Sequence, residues 1–242
     1  MLLAQHGGAK SVDTLLALAR GGDPKLQKTA LFWLGQSNDP RAFDLLQELS
    51  QSADPDVART SLMGLSQLGG ERATQVLLNL ARNGQSIAVR REAMFWLAQT
   101  GGEKILDDLL QIYANDKDIE LKKQMLFVLS QMKSSRATGK LSEIAHSNDV
   151  PELRKQAIFW IGQRGDEQAL QSLIQLYDSE KEAGIKEQLI FAFSQSNSKT
   201  ALNKLMQIAK GDSSQEARKK AIFWLGQSSD PEAKKLIESI LK

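Results

Sequence analysis

Cysteine is absent from this sequence of 242 residues, and histidine occurs only twice. Without cysteine there can be no disulfide, thiolate metal site or cysteine nucleophile, and both reducing and oxidising compartments stay possible. With His6 and His146 alone, we expect neither a histidine metal centre nor a catalytic triad. The glycines of "LGG" and "TGG" fall at predicted helix ends rather than in a phosphate-binding loop. We therefore expect no metal and no cofactor.

An excess of charge of one sign and long apolar runs are also missing. Lysine and arginine number 31 against 29 acidic residues, a net charge of +2 that does not indicate nucleic-acid or membrane binding. The longest apolar runs, such as "AIFWIG", fall far short of the ~20 residues of a membrane span. The beginning "MLLAQHGGAK" lacks the pattern of a signal peptide. We expect a soluble chain, cytoplasmic or periplasmic, with neither a membrane nor a nucleic acid as partner.

A helical pattern recurs along the chain. The glutamine that ends "FWLGQ" returns once after 31 residues and then five times after 32, at Gln36, Gln67, Gln99, Gln131, Gln163, Gln195 and Gln227. We call the residue ten places before each glutamine position 0 of the repeat. Apolar or small residues recur at positions 0, 4 and 8, a spacing that predicts one face of an amphipathic helix.

A second helix is predicted after each glutamine, because alanine or isoleucine six residues beyond it is followed by apolar residues at helical spacing. Asp-Pro pairs, as at Asp23-Pro24 and Asp54-Pro55, suit helix starts. Each unit is thus a helical hairpin that cannot bury its own apolar faces and must stack on its neighbours. The sequence predicts an all-α solenoid of about seven two-helix repeats of ~32 residues plus a terminal helix, fifteen helices in total.

Two stretches carry a family resemblance. "VRREAMFWLAQTGG" (residues 89–102) and "LRKQAIFWIGQRGD" (residues 153–166) resemble HEAT repeats of the short bacterial type, also found in phycobilisome-lyase proteins. The resemblance implies a right-handed α-α superhelix over essentially the whole chain. It also implies that the helices ending in the glutamines, here called inner helices, line the concave side, and that the others, here called outer helices, form the convex side. It further implies that position 1 carries ladder residues that bind turn acids or carbonyls, namely Arg90, Lys122, Arg154, Lys186 and Arg218, with Gln27 and Ala58 departing from the pattern.

The domain organisation predicted is a single HEAT-repeat solenoid over residues 1–242. Residues 1–8 are a remnant of a preceding repeat, because "LLAQHGGAK" aligns with "WLAQTGGEK" and places Gln5 one 31-residue step before Gln36. We favour truncation of a longer parent protein over a frayed half-unit. Residues 230–242 are predicted to be a C-terminal capping helix.

Aromatic residues occupy two adjacent positions of the inner helix. Position 6 points away from the predicted core face and holds Phe32, Met63, Phe95, Phe127, Phe159, Phe191 and Phe223. These side chains either are covered by neighbouring repeats or form an apolar stripe on the concave surface. Position 7 alternates tryptophan with small residues, which predicts packing, for example of Trp33 against Gly64, and a true period of 64 residues. Position 9 is always small, which allows close approach of helices.

Two polar rows flank position 6. Position 2 is basic in six of the seven repeats, at Lys28, Arg59, Arg91, Lys123, Lys155 and Lys219, while Glu187 occupies the sixth. The seven glutamines form the other row. Such rows are often only a solvated helix face. Beside aromatic rings they could also clamp an extended peptide, with amides binding its backbone and cations its acidic groups.

The function expected is that of a non-catalytic scaffold that binds a protein or an extended peptide through the concave inner-helix surface, as a monomer. One alternative is a HEAT-fold enzyme, bilin lyase-like or DNA glycosylase-like, for which Glu92 and Glu187 are the inner-surface carboxylates. Another is a purely architectural or engineered repeat array. The sequence names neither the partner nor the compartment.

Overall fold

A computed structural model describes residues 8–37, 39–100, 102–165 and 167–240 of the chain. The predictions made for residues 1–7, including Gln5, His6 and all but the last residue of the predicted remnant 1–8, lie outside the described residues. Gly8, the last residue of that remnant, begins the first outer helix instead. The last two residues of the predicted capping helix, 241 and 242, lie outside them as well.

The described residues form fifteen α-helices and contain no strand, which confirms the predicted all-α hairpin repeat. A short 3-10 helix, Gly102–Ile105, precedes the seventh α-helix. The inner helices are α2 (Pro24–Gly35), α4 (Pro55–Leu68), α6 (Ile87–Thr100), α8 (Ile119–Gln131), α10 (Pro151–Arg164), α12 (Ala183–Gln195) and α14 (Gln215–Gly226). The outer helices are α1 (Gly8–Ala19), α3 (Pro40–Leu49), α5 (Gly70–Asn83), α7 (Leu106–Asn115), α9 (Ser135–His146), α11 (Glu167–Ser179), α13 (Lys199–Gly211) and α15 (Pro231–Ile240).

The Asp-Pro pairs begin helices as predicted. The Asp23 carboxylate accepts hydrogen bonds from the backbone N–H groups of Lys25 and Leu26 at 2.7 and 3.2 Å, and Pro24 opens the first turn of α2. The Asp54 carboxylate caps α4 in the same way. At the other end of α4, Gly69 has a φ of 64°, a left-handed conformation that suits glycine at a helix end. Local sequence therefore sets where the inner helices start and stop.

The chain divides into two compact units, Met1–Val128 and Leu129–Lys242. Each unit contains two layers of helices. In the first unit α2 packs on α4 and α4 on α6, while the outer helices α1 and α5 pack on α3 and α7 respectively. In the second unit α10 packs on α12 and α12 on α14, with α9, α11, α13 and α15 in succession behind them. The expectation of a single domain over residues 1–242 stays a prediction.

The apolar positions of the repeat form the core of both units. Positions 4 and 8 are buried in every repeat, and position 0 is buried in six. Leu26 at position 0 is the exception and is 51% exposed, so its prediction as a core residue is wrong. It lies on α2, the first inner helix of the described residues. The outer-helix pattern has a similar exception at the other end, where Ile240 is 39% exposed.

Small residues at position 9 allow the inner helices to touch. A Cβ atom at Gly35 would lie 2.6 Å from the Cα atom of Gly64, and one at Gly162 would lie 2.9 Å from the Cβ atom of Ala192. Both distances are too short for a side chain, so glycine is required for this approach. A Cβ atom at Gly64 would meet Leu46 first, at 2.9 Å, and Gly35 at 3.5 Å. The pairing of Trp33 with Gly64 stays a prediction.

Candidate functional site

The side chains at position 6 of the repeat lie at the surface. Phe32 is 37% and Phe223 58% exposed, and the other five residues of the row are partly exposed. These two values belong to α2 and α14, the first and last inner helices of the described residues. No member of the row is buried. Each of these side chains therefore leaves part of its apolar surface accessible to a ligand.

In the second unit the rings at positions 6 and 7 form a continuous row. Phe159 and Phe191 stack with their centroids 6.3 Å apart and their planes 6° from parallel. Phe191 in turn contacts Trp224 at 5.3 Å, and Trp224 meets Phe223 edge to face at 5.1 Å. Trp160 joins the other end through an edge-to-face contact with Phe159 at 4.8 Å. Aromatic pairs at these separations attract one another beyond their buried area, so the row is held in a fixed geometry.

The first unit has the same pairs within its helices. Phe32 and Trp33 meet edge to face at 5.2 Å, and Phe95 and Trp96 at 5.1 Å. Met63 occupies position 6 between them. All four tryptophans of the chain are half-buried, so each contributes both to packing and to the surface.

The basic row at position 2 is partly neutralised by neighbouring repeats. In the first unit the Lys28 ammonium donates to Asp56 of the next inner helix and lowers the pKa of that carboxyl group. The Arg59 Nε atom lies 3.7 Å from the Glu92 carboxylate. Lys123 pairs with Glu120 within its own helix at 2.8 Å. By contrast Arg91, Lys155 and Lys219 have neither an ion pair nor a hydrogen bond to another described residue.

The glutamine row is exposed in all seven repeats, at Gln36, Gln67, Gln99, Gln131, Gln163, Gln195 and Gln227. In the second unit the amides of Gln131 and Gln195 donate to the serine one residue before them, at 3.1 and 3.2 Å. The amide oxygen of Gln67 lies over Gly35. Because an exposed amide offers both donors and an acceptor, this row can bind a peptide backbone.

A groove of about 730 Å³ lies between α10, α12 and α14. We call it the α10–α14 groove. Its apolar wall consists of Phe191, Phe223 and Trp224. The rest of its lining consists of three lysines, two glutamates and two uncharged residues: Lys155, Lys219, Lys220, Glu187, Glu216, Gly184 and Gln188. Two rings and two cations of the predicted rows, Phe191, Phe223, Lys155 and Lys219, therefore meet in one concavity, while the glutamine row lies outside its lining.

The ladder position has a structural role, as the family resemblance implies. Arg90 Nε donates to the carbonyl of Ala81 at 3.0 Å and its guanidinium binds Asp116. Arg154 repeats this arrangement with the carbonyl of Ala145 at 3.1 Å and with Glu180. Burial alone would raise the pKa of Glu180, but backbone N–H groups and Arg154 lower it below its usual value.

Lysine at the ladder position uses a tyrosine instead. Lys122 lies over the ring of Tyr113 at 4.9 Å, and Lys186 over Tyr177 at 4.7 Å. Arginine and lysine alternate here in step with the tryptophans, which agrees with the 64-residue period. Gln27, which departs from the family pattern, still donates to a carbonyl, that of Ala19, at 2.9 Å.

Tyr177 is the centre of a polar cluster that sequence reasoning did not identify. Its hydroxyl donates to Asp212 at 2.8 Å, and the nearly buried Lys204 lies 5.3 Å from its ring while donating to Asp178 at 2.6 Å. Burial and the contact with Asp212 raise the pKa of Tyr177. Burial would raise the pKa of Asp212, but hydrogen bonds from the Ser214 backbone and from Tyr177 lower it.

The two carboxylates considered for catalysis are engaged. Glu92 accepts a hydrogen bond from the Trp96 indole at 3.1 Å through one oxygen and faces Arg59 through the other. Glu187 binds the Lys220 ammonium. Among the described residues there is no group of three or more histidine, cysteine, aspartate or glutamate side chains that could hold a metal ion. In the same part of the chain, each helix is too short or too polar to cross a membrane.

Comparison with protein families agrees with the repeat pattern. A model of HEAT repeats matches residues 12–98, 75–155 and 106–194, which together cover more than half of the chain. The chain belongs to the HEAT-repeat family. The curated proteins contain no match to this HEAT-repeat chain.

Solved structures show a similar fold. A homology model of the full-length AP-3 complex is similar over 97% of this chain and 45% of that chain, with 14% identity and a TM-score of 0.52. The structure of human deoxyhypusine hydroxylase in complex with glycerol aligns over 95% of this chain and 89% of the hydroxylase chain, with 18% identity and a TM-score of 0.45. The complex of CpcE and CpcF of phycocyanin lyase from Nostoc aligns over 90% of this chain and 82% of the lyase chain, with 17% identity and a TM-score of 0.38. At 14% identity the similarity to the AP-3 structure concerns the fold alone, since helical repeats host unrelated functions.

Proposed function

We propose that this HEAT-repeat chain is a non-catalytic scaffold that holds an extended segment of a partner protein across its inner helices. The observation that carries the proposal is the row of stacked, partly exposed rings of the second unit, Phe159, Phe191, Trp224 and Phe223. Aromatic rings on the rim of a groove are common anchors in protein recognition. The corresponding side chains of the first unit, Phe32, Met63, Phe95 and Phe127, belong to the proposed surface, which the family resemblance places on the concave side.

The spacing of the rings suits an extended ligand. Alternate residues of an extended chain are ~6.6 Å apart and point to the same side. The Phe159 and Phe191 centroids are 6.3 Å apart. Residues i and i+2 of a bound segment can therefore pack on successive rings, while the residue between them points away.

Polar rows on both sides of the rings supply the remaining contacts. The exposed amides of Gln163, Gln195 and Gln227 can bind backbone N–H and C=O groups that an extended ligand leaves unpaired. The lysines of the α10–α14 groove can bind acceptor groups on the opposite side. Both carboxylates that an enzymatic alternative would need, Glu92 and Glu187, already bind neighbouring side chains, which supports the choice of a binding role.

The test is selection of binders from a display library of random twelve-residue peptides against the whole chain, followed by measurement of Kd by fluorescence anisotropy. We expect Phe191→Ala/Phe223→Ala to weaken the selected peptides by tenfold or more, because truncating an anchor at an interface costs about 1–2 kcal/mol or more. The matched control is Ile240→Ala, which removes another exposed apolar side chain of the same unit, on α15. It should leave Kd unchanged.

The urea midpoint of each variant separates binding from folding. Neither substitution at the rings should lower the midpoint as much as Phe193→Ala, since Phe193 is fully buried in the core of the same unit. If Phe191→Ala/Phe223→Ala unfolds the second unit, the rings are core residues and the proposed surface does not exist. Peptides whose affinity is indifferent to this double substitution would also contradict the proposal.

A further inference from the structure

We infer that the segment held by the α10–α14 groove is acidic, with carboxylate side chains beside an apolar anchor; this inference rests on the proposed peptide-binding function. The argument comes from the charges of the groove. Of its cations, Lys220 binds Glu187. Lys155 and Lys219 pair with no described carboxylate, and Glu216 is the one acid of the lining without a described cation. The groove thus offers more unpaired positive charge than negative charge.

The position of Lys155 shows how its charge comes to be unpaired. Lys28 occupies the same repeat position in the first unit, and its ammonium binds Asp56, the residue just before position 0 of the next repeat. For Lys155 the corresponding residue, just before position 0 of the repeat that follows it, is Gly184. The Lys155 Nζ atom lies 3.1 Å from the place that a Cβ atom at Gly184 would take. A carboxylate at position 184 would therefore reach Lys155, and the chain has glycine there.

A second source of acid is missing at the same place. In the first unit Arg59 is neutralised by Glu92, at position 3 of the next repeat. For Lys155 the residue at that position is Gln188, which lines the groove without a charge. Two nearby acids do not neutralise Lys155 either. Glu152, three residues earlier on the same helix, forms no ion pair with a described residue, and Glu182 faces the guanidinium of Arg154 at 3.7 Å. A carboxylate brought by a ligand would complete the pair that Asp56 and Glu92 complete elsewhere.

The two unpaired lysines lie beside the rings. Positions 2 and 6 are one helical turn apart, so Lys155 is the neighbour of Phe159 and Lys219 the neighbour of Phe223 on the same helix faces. Lys219 is on the last inner helix of the described residues, and Glu216, three residues earlier on that helix, does not pair with it. A segment whose apolar side chain packs on Phe191 can therefore present carboxylates to the cations of α10 and α14.

The experiment compares three labelled peptides on the intact chain by fluorescence anisotropy. Each has the same leucines and phenylalanine in alternate places, and the intervening residues are glutamate, glutamine or lysine. We expect the glutamate peptide to bind about five- to tenfold more tightly than the glutamine peptide at low salt, as two partly exposed ion pairs imply. The lysine peptide should bind most weakly, and added salt should reduce the differences.

A substitution that supplies the missing acid gives the sharpest control. Gly184→Asp should reduce the preference for glutamate over glutamine to about twofold or less, because the new carboxylate occupies Lys155 internally. The contacted atom is the flexible end of the lysine, so this variant is expected to fold. Gly139→Asp adds the same charge to an open position on the outer helix α9 of the same unit and should leave the preference unchanged.

The outcomes separate the two hypotheses. Equal binding of the glutamate and glutamine peptides, or a preference for lysine, would overturn the inference while leaving the binding surface in place. A glutamate preference that survives in both Gly184→Asp and Lys155→Gln would overturn it too. If none of the three peptides binds, or if binding ignores Phe191→Ala/Phe223→Ala, the proposed function fails and the inference fails with it.

Discussion

The hydroxyl group of Ser61 gives the most direct test of the energetics of the repeat. Ser61 lies at position 4 of α4 and is fully buried, and its Oγ atom has no hydrogen-bond partner among the described residues. The same position is alanine in four other repeats, at Ala30, Ala93, Ala157 and Ala221, all of them buried. Ser61→Ala is therefore expected to stabilise the first unit.

The magnitude follows from two terms. An unsatisfied buried hydroxyl costs about 1–3 kcal/mol, and serine is a poorer helix former than alanine by a few tenths of a kcal/mol. The loss of oxygen contacts opposes these terms weakly, so we expect a net gain of about 1–2 kcal/mol. With a urea m-value of about 2 kcal/mol/M, the unfolding midpoint of the first unit should rise by about 0.5–1 M.

Urea unfolding followed by far-UV circular dichroism and tryptophan fluorescence measures this shift. The matched control is Ser66→Ala in the same helix, because Ser66 is also buried but its hydroxyl donates to the carbonyl of Met63 at 2.7 Å. Losing that bond should offset the gain in helix propensity and leave the midpoint within about 0.3 M of the wild type. A Ser61→Ala midpoint that is unchanged or lower, or no higher than that of Ser66→Ala, would refute the reasoning.

Other predictions use residues in equivalent places of the repeat. Gly35→Ala should cost about 1–3 kcal/mol because its Cβ atom would meet the Gly64 backbone, whereas Gly226→Ala, with open space around it, should gain about 0.5–1 kcal/mol; urea unfolding compares them. Tyr177→Phe should destabilise the second unit by about 1–2 kcal/mol through loss of its hydrogen bond to Asp212. Because the folded-state pKa of Asp212 lies below its usual value of 3.8, the stability contributed by this group is complete above that pH. It should decline as the pH falls further, and the decline should be smaller in Tyr177→Phe; no change in the pH profile would argue against the coupling.

The sequence was sufficient for the fold because the relevant forces are local and periodic. Apolar residues at positions 0, 4 and 8 identify a helix face without any knowledge of what packs on it. The face is wider than this pattern, however, since position 5 is also buried in six repeats, for example at Leu31 and Met94. Periodicity does not report the exposure of Leu26.

The candidate site could be predicted only as rows of side chains. The exposure of the seven glutamines follows from helix geometry, and the partial exposure of the aromatic row agrees with it. Whether a cation of the basic row is paired depends on which residues the next repeat places beside it, as for Lys28 and Arg59. The replacement of Asp56 by Gly184 at equivalent positions is visible in the sequence, but its meaning depends on the contact between Lys28 and Asp56. The Tyr177 cluster joins residues far apart in the chain, so no local pattern indicates it.

The contact of glycine with a small residue on the next inner helix also limits how such an array can change in length. Gly35 meets Gly64 and Gly162 meets Ala192, whereas the repeat after each of those carries a tryptophan at the position of Gly64 and Ala192. Removing a single hairpin would bring an indole against a glycine that has no room for a methyl group. Removing or duplicating two consecutive hairpins brings no tryptophan opposite a glycine. Changes in the number of repeats should therefore be tolerated better in multiples of two, and the hairpin pair is the module by which this array can be lengthened or shortened.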